Sequence, residues 1–298
     1  MSGWGFVLWG LIAVSASAAG QVESGPPAPK VYAFCVELGV PGLTPRPVSE
    51  LAKLLREVGF DGTGYSNLTD PGLDETLRTF DAAGLKVYLL ETPINLDPKA
   101  SAPYDNRLPD AIRKLKGRDA TVAVNIFGRK PGDPEGLEPA IKALRELGDV
   151  AAEAGVRISV YNHVDCWSES VPFVVEVVKK ANHARVGFNF NVCHWVKVEG
   201  ARDFAPLLRE NAAKLFCVTI CGSEIGAPTW TNGLIQPLDK GNFDNRVLLA
   251  TLREIGYQGP VGIMCYGVPG DAREHLQRSM STWRIWTAPI QLKKETGP

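Results

Sequence analysis

Two histidines in the sequence have neighbours that suit proton transfer. His163 ends the run YNH at 161–163, and His194 follows the alternating run VGFNFNVC at 186–193. Because an imidazole titrates near pH 6.5, it can take or give a proton at neutral pH. Glu91 and Glu37, each at the end of an apolar run, are candidate bases as well. We predict that His194, His163 and Glu91 are the catalytic acid–base groups.

Polar and aromatic side chains around these groups predict a hydroxyl-rich ligand. Amides donate and accept hydrogen bonds, and an indole can stack on the face of a sugar ring. Trp230 and Gln236 lie in a long Gly- and Pro-containing segment, 223–242, and loops of this length tend to be functional. The residues predicted to bind substrate are Glu37, Tyr161, Asn162, Asn191, Cys193, Trp230 and Gln236.

Each candidate also has a structural interpretation that the sequence leaves open. His163 is also explained by a hydrogen bond to a loop carbonyl, and His194 by packing at a strand end. Glu91 is also explained by a loop contact, and Glu37 by an ion pair with Arg46. The other two histidines of the chain, at 183 and 275, are predicted to be exposed.

One pattern of elements repeats along the chain: a β-rich run, a polar loop and a run with helical periodicity. We predict strands at 30–37, 60–65, 85–92, 120–127, 157–163, 185–193, 216–221 and 259–266. We predict helices at 48–58, 73–83, 106–116, 138–154, 170–182, 203–214, 244–255 and 272–286. Eight such units in about 270 residues match a single (β/α)₈ TIM barrel, an α/β fold. A doubly wound sheet is disfavoured because no Gly-rich turn follows the first strand.

In a barrel of this kind, the active site lies at the carboxyl ends of the strands. The predicted strand ends bring together most of the candidate residues. They are Glu37, Tyr65, Ser66, Glu91, Thr92, Phe127, Tyr161, Asn162, His163, Asn191, Cys193, His194, Thr219, Cys221, Met264, Cys265 and Tyr266.

The chain resembles the xylose-isomerase-like barrels, which include sugar isomerases, epimerases and an endonuclease branch. YNH at 161–163 is similar to a Glu-Asn-His that often ends strand five of that family. NVCH at 191–194 is similar to its Asp-x-x-His after strand six, and GYQGPVGIMCYG at 256–267 to its last strand. The resemblance implies sugar chemistry and covers nearly the whole chain.

The resemblance also implies a divalent metal site, but the positions that would hold the ion are changed. The family's carboxylates on strands five, six and eight are replaced by Tyr161, Asn191 and Met264, and its strand-seven pair by Thr219 and Gly222. A hard cation needs anionic oxygen, and a unit-charge pair about 4 Å apart is worth roughly 4 kcal/mol at an effective dielectric near 20. We therefore expect no metal ligands in the family's positions and no cofactor.

A softer zinc site is a further alternative that the sequence leaves open. Its ligands would be Cys193 and His194 with Cys221 or Cys265. The six cysteines are spread along the chain, mostly in apolar runs, and none forms a CxxC pair. They are predicted to be core thiols with at most one or two disulfides.

Composition and the chain termini limit the partners and the location. The net charge of −1 provides no electrostatic footprint for nucleic acid, which disfavours the endonuclease reading. Residues 1–18 are uncharged and end in a small-x-small site, which predicts a secretory signal peptide; a retained anchor is the alternative. We predict a flexible lead at 19–29, the barrel at 30–288 and a C-terminal tail at 289–298. The protein is expected to be secreted or periplasmic, with no membrane contact after signal cleavage.

The predicted function is proton transfer at a carbon of a sugar or sugar derivative, of the isomerase or epimerase type and without the family's metal. A lyase or hydratase acting on a keto-sugar needs the same base and stays open. So does a non-catalytic carbohydrate-binding barrel, which the missing carboxylates favour. The expected partner is a small sugar; the sequence does not fix the oligomeric state.

Overall fold

A computed structural model describes Met1 and residues 28–288 of the chain. The barrel unit spans Ala28–Ala288. The predicted signal peptide at 1–18, most of the lead at 19–29 and the tail at 289–298 lie outside the described residues. Within the described part, no helix has both the length and the apolar character needed to cross a membrane.

Eight parallel strands close into a barrel in chain order, with β8 paired to β1. The strands are β1 Val31–Phe34, β2 Gly62–Tyr65, β3 Lys86–Asn95, β4 Thr121–Phe127, β5 Arg157–Val160, β6 Val186–Asn191, β7 Leu215–Ile220 and β8 Val261–Met264. All eight predicted strands are present, and the single-domain (β/α)₈ fold predicted from the sequence is confirmed.

Helices follow the strands and surround the barrel. They are α1 Val48–Val58, α2 Leu73–Ala82, α3 Leu108–Arg113, α4 Leu137–Ala154, α5 Val171–Ala181, α6 Val192–Glu199, α7 Ala205–Glu210, α8 Asn245–Glu254 and α9 Ala272–Thr287. Short 3₁₀ turns occupy Pro134–Gly136 and Ala212–Lys214.

Helix α1 shows how the apolar pattern produces these elements. Leu54, Leu55 and Val58 share one face and are buried against the barrel, as their spacing predicts. Burying each such side chain contributes roughly 1.5–3 kcal/mol. The helix ends at Gly59, whose φ of 99° is a left-handed conformation that a side chain would strain.

The barrel interior is closed by a tyrosine that lies opposite glycines. Tyr32 on β1 is paired with Gly62 on one side and Gly262 on the other. A Cβ atom at Gly262 would lie 2.5 Å from the Tyr32 ring. The Tyr32 hydroxyl lies 3.1 Å from the Cys217 Sγ, so this buried polar group has a partner. Tyr32 is therefore tightly packed inside the barrel.

The structure corrects one predicted strand. β6 ends at Asn191, and the residues from Val192 onward form α6, which the sequence did not predict as a helix. Asn191 is the reason, because its side-chain oxygen accepts hydrogen bonds from the backbone N–H groups of Cys193 and His194 and so caps the helix. Cys193 and His194 therefore lie in the first turn of a helix rather than on a strand.

Two further predictions can be compared with the structure. All six cysteines lie in the described residues and all are free thiols. His275, predicted to be exposed, is only 5% exposed on α9, and burial lowers its pKa to about 4. His275 shares the buried face of α9 with Leu276 and Met280, so the prediction that it is exposed was wrong.

Candidate functional site

A cavity of about 310 Å³ opens at the carboxyl ends of the barrel strands, where this fold places active sites. We call it the catalytic cavity because it holds the residues predicted to be catalytic. It is lined by Phe34, Cys35, Leu38, Ser66, Glu91, Asn125, Tyr161, His163, His194, Trp230, Ile235, Met264 and Tyr266. Five of the ten predicted site residues are in this set: Glu91, Tyr161, His163, His194 and Trp230.

The two histidines come together from different elements. His163 lies in the turn that follows β5, and His194 lies in the first turn of α6. Their ring centroids are 4.2 Å apart, with an angle of 38° between the planes. The sequence separates them by 31 positions, and the parallel order of β5 and β6 brings them side by side.

The backbone of one residue, Val164, contacts both rings. The Nδ1 of His163 lies 2.7 Å from the Val164 carbonyl oxygen, which can only accept a hydrogen bond. The Val164 N–H donates to the Nδ1 of His194 over 3.3 Å. In their neutral forms, His163 is therefore protonated at Nδ1 and His194 at Nε2. The two rings are fixed as opposite tautomers.

The surroundings keep both rings neutral. Burial lowers the pKa of His163 below its usual value, although the Val164 carbonyl and Asp165 act in the other direction. Burial also lowers the pKa of His194, and repulsion from His163 lowers it further. Because two adjacent imidazolium ions would repel each other, a proton on one ring disfavours a proton on the other.

Glu91 is the carboxyl group of the catalytic cavity. It lies within β3, and its Oε1 accepts a hydrogen bond of 3.2 Å from the Nδ2 of Asn125 on β4. Burial raises the pKa of Glu91 to about 7, against which the Asn125 contact acts weakly. A pKa in this range suits a carboxyl group to act as a general acid or base at neutral pH.

Asn125 is a lining residue that the sequence reasoning missed. Its Oδ1 is buried and has no hydrogen-bond partner among the described residues. The position lies inside a predicted strand, and the signal was a single amide in the otherwise apolar run VAVNIF at 122–127. Asn125 contributes to the cavity through its contact with Glu91, while its Oδ1 is closed off from solvent.

Trp230 forms one wall of the catalytic cavity. Its ring meets that of His194 edge to face, with centroids 5.1 Å apart. The loop that carries Trp230 is tied down by paired backbone bonds between Gly222 and Gln236. The Gln236 side chain donates to the Gly233 carbonyl and is not among the lining residues, so it shapes the loop and does not line the cavity.

The predicted amide ligands lie behind the cavity wall. Asn162 exchanges two hydrogen bonds with the backbone of Asn191, at 2.9 and 3.3 Å, and so continues the pairing of β5 and β6. The Asn191 Oδ1 caps α6 and its Nδ2 donates to the Tyr161 hydroxyl. The Cys193 thiol donates to the same Oδ1. Asn162, Asn191 and Cys193 are fully buried and do not line the cavity.

Glu37 is also absent from the lining. Its carboxylate accepts hydrogen bonds from the side-chain Nε and the backbone N–H of Arg46, at 2.9 and 3.2 Å. This is the ion pair that the sequence gives as the alternative explanation for Glu37. The ion pair holds the loop between β1 and α1 beside the cavity. Glu37 therefore supports the cavity wall and does not contact the ligand.

Comparison with known proteins places the chain in a family. A family model described as xylose isomerase-like TIM barrel matches residues 52–284. This chain belongs to that family. No curated protein matches it.

Solved structures of the same fold are similar over most of the chain. The 3-keto-D-glucoside 4-epimerase from E. coli has a TM-score of 0.67 and 16% identity, covering 86% of this chain and 99% of its own. The D-allulose 3-epimerase from Methylomonas sp. has a TM-score of 0.66 and 13% identity, covering 88% and 99%. An IolI protein with a bound zinc atom has a TM-score of 0.64 and 20% identity, covering 87% and 98%. At these identities the similarity shows the fold.

The residues at the strand ends do not fit the divalent ion that the family resemblance implies. Among the described residues, no group of three or more His, Cys, Asp or Glu side chains is arranged to hold an ion. Tyr161 and Met264 line the cavity where the resemblance expects carboxylates. The Asn191 Oδ1 is already occupied by the N–H groups of α6. The donors present are therefore suited to hydrogen bonding and proton transfer.

Proposed function

We propose that this protein moves a carbon-bound proton in an uncharged sugar derivative, as an isomerase or epimerase, without a metal ion. The observation that carries the proposal is the opposite tautomers of His163 and His194 on one cavity wall, fixed by the backbone N–H and carbonyl of Val164. One ring is set up to accept a proton and the other to donate one.

His163 is the proposed base. Its Nδ1–H is held by the Val164 carbonyl, so the lone pair available for chemistry is on Nε2. Its lowered pKa keeps the ring neutral, and therefore basic, at neutral pH. A proton bound to carbon is acidic enough for imidazole only beside a carbonyl group, so the reacting form of the sugar is a ketone or aldehyde.

His194 is the proposed stabiliser of the charge that develops on that carbonyl oxygen. Since its Nδ1 accepts the Val164 N–H, its Nε2 carries the proton and can donate to the enolate oxygen. A neutral imidazole that is already oriented needs no rearrangement during the reaction. Its strongly lowered pKa keeps the ring from becoming a cation.

Glu91 is the proposed second acid–base group. Epimerisation needs one group to remove a proton and another to return a proton to the opposite side of the carbon. With a pKa raised to about 7, protonated Glu91 can deliver a proton while neutral His163 removes one. In the reverse direction the two groups exchange roles.

The residues that line the cavity favour an uncharged sugar as the proposed ligand. None of its lining residues, all within the described part of the chain, is Lys or Arg, so no side-chain cation is placed to hold a phosphate. Trp230 lines the cavity and offers an aromatic ring for the face of a sugar. The sugar-acting epimerases of the same fold point to the same ligand class.

Two other functions use the same cavity. A keto-sugar lyase or hydratase would also begin with proton removal by His163. A non-catalytic carbohydrate-binding barrel is favoured by the neutral Tyr161 and Met264 in the cavity wall. Exchange of carbon-bound protons with solvent distinguishes the binder, which exchanges none, from both enzymes.

The test is deuterium incorporation from D₂O, followed by NMR, into methyl glucosides oxidised at C2, C3 or C4. The wild-type protein is expected to label one of the three. His163→Asn keeps a donor for the Val164 carbonyl but removes the base, so the rate should fall about 10²–10⁴-fold. His183→Asn, which removes a histidine outside the catalytic cavity, is the matched control and should keep the wild-type rate. Equal rates for both variants would refute the assignment of His163.

We also propose that the protein is exported, as the uncharged stretch at 1–18 predicts. The proposed partner is a small sugar. Neither nucleic acid nor a membrane is part of the proposed function, and the oligomeric state is left open.

A further inference from the structure

A second cavity of about 270 Å³ adjoins the catalytic cavity. We call it the side cavity. Cys35, Leu38 and Ser66 line both cavities, so the two cavities meet along these residues. The remaining walls of the side cavity come from the loop before α1, from α1 itself, from the end of β2 and from α2.

The walls of the side cavity are mainly apolar and aromatic. Val48 and Leu51 of α1 face Tyr65 at the end of β2 and Phe80 of α2. Val48 and Leu51 are only half-buried, although each belongs to an apolar helix face that is otherwise covered. An apolar surface at this depth gains free energy when a ligand removes it from water.

The polar groups of the side cavity are already engaged within the protein. The Arg46 guanidinium is paired with Glu37, and the Asp70 carboxylate accepts the Gly72 N–H over 2.6 Å. The Asn67 side-chain oxygen accepts hydrogen bonds from Thr69. Within the described chain, the lining therefore offers no free cation, and its one carboxylate, Asp70, is bound to a backbone N–H, so the walls suit an uncharged apolar group better than an anion.

The backbone where the two cavities meet is strained. Cys35 has a φ of 56° and Glu37 a φ of 62°, left-handed values that cost residues other than glycine of the order of 1 kcal/mol or more. The Glu37–Arg46 ion pair fixes this loop from the outside. Strained backbone of this kind persists where surrounding contacts hold it, and it is concentrated at ligand sites.

We propose that the substrate has two joined parts, a sugar ring in the catalytic cavity and an uncharged aryl or alkyl group, attached as a glycoside, in the side cavity. The identity of the reacting half rests on the proposed function above. The occupancy of the side cavity does not, because it depends only on binding. The side cavity would thus select glycosides over free sugars.

Calorimetric titration with unreactive glycosides tests this inference. Phenyl β-D-glucopyranoside is expected to bind at least about tenfold more tightly than methyl β-D-glucopyranoside, because the phenyl ring leaves water. Val48→Phe and Leu51→Phe each fill the side cavity, so each should remove most of that preference and leave the affinity for the methyl glycoside unchanged. Val247→Phe is the control, because it makes the same change at an exposed helical position outside both cavities. This variant should keep the preference for the phenyl glycoside.

The outcomes separate the two proposals. A phenyl preference that both side-cavity variants abolish supports the two-part ligand even if no proton exchange is ever found. Equal affinities for the two glycosides, or a preference that survives both substitutions, would overturn it, whatever the exchange assay shows.

Discussion

Replacement of Glu91 by Gln should stabilise the protein, and increasingly so as the pH rises. Burial raises the pKa of Glu91 to about 7, against 4.5 for an unperturbed Glu. Because the folded chain holds this proton more tightly than the unfolded chain, the resulting stabilisation is complete below about pH 4.5 and is lost as the pH passes 7. At higher pH the folded protein must bury an anion that the unfolded chain leaves in water.

The size of the effect follows from the shift in pKa. A difference of about 2.5 units at about 1.4 kcal/mol per unit corresponds to about 3 kcal/mol. Gln has nearly the shape of a protonated Glu and keeps the oxygen that accepts from Asn125, so it removes mainly the ionisation. The excess stability of the variant should therefore rise from below about 1 kcal/mol at pH 5 to about 3 kcal/mol at pH 8.5.

Guanidinium unfolding of both proteins at pH 5 and pH 8.5 measures this difference, provided that the m-values agree. Glu254→Gln is the control, because Glu254 is an exposed carboxylate whose pKa Arg209 lowers, and its removal should give no gain at pH 8.5. If the difference in unfolding free energy between Glu91→Gln and the wild type were the same at both pH values, Glu91 would not be desolvated and its proposed role would fail.

Three further predictions concern the reaction, the barrel and export. The rate of epimerisation should follow a bell-shaped pH profile, rising as His163 loses its proton below pH 6.5 and falling near pH 7 as Glu91 ionises. Initial rates measured from pH 5 to 9 test this profile. A rate that still climbs at pH 9 would contradict it. Gly262→Ala should lower the unfolding free energy by about 1–3 kcal/mol, because the new Cβ would lie 2.5 Å from the Tyr32 ring; denaturant unfolding measures it, and an unchanged midpoint would argue against this packing. The exported protein should begin at Ala19, as N-terminal sequencing after expression with its own leader would report; an intact Met1 would favour the retained anchor.

The elements of the barrel could be predicted from the sequence because their signals are local. The spacing of Leu54, Leu55 and Val58 predicts a buried helix face, and Gly59 marks its end. The meeting of His163 and His194 followed from the fold, since parallel strands place their ends at one side of the barrel.

Features that depend on contacts between distant residues could not be predicted in this way. The sequence predicts that Asn191 faces the ligand, but as the last residue of β6 it caps α6, which turns its amide away from the cavity. Asn125 was passed over because nothing local shows that Glu91 lies beside it on the neighbouring strand. The opposite tautomers of the two histidines depend on backbone contacts with a single residue, Val164, and no residue pattern in the sequence indicates these contacts.

The central claim is that imidazole and carboxyl groups move the proton without a cation. The most direct measurement is the rate at which the protein catalyses deuterium incorporation from solvent into the oxidised methyl glucosides. The rate and the metal content of the protein are both measured before and after exhaustive chelation. We predict the same rate before and after chelation, with metal well below one ion per chain. Loss of exchange on chelation, restored by one equivalent of a divalent ion, would contradict the account.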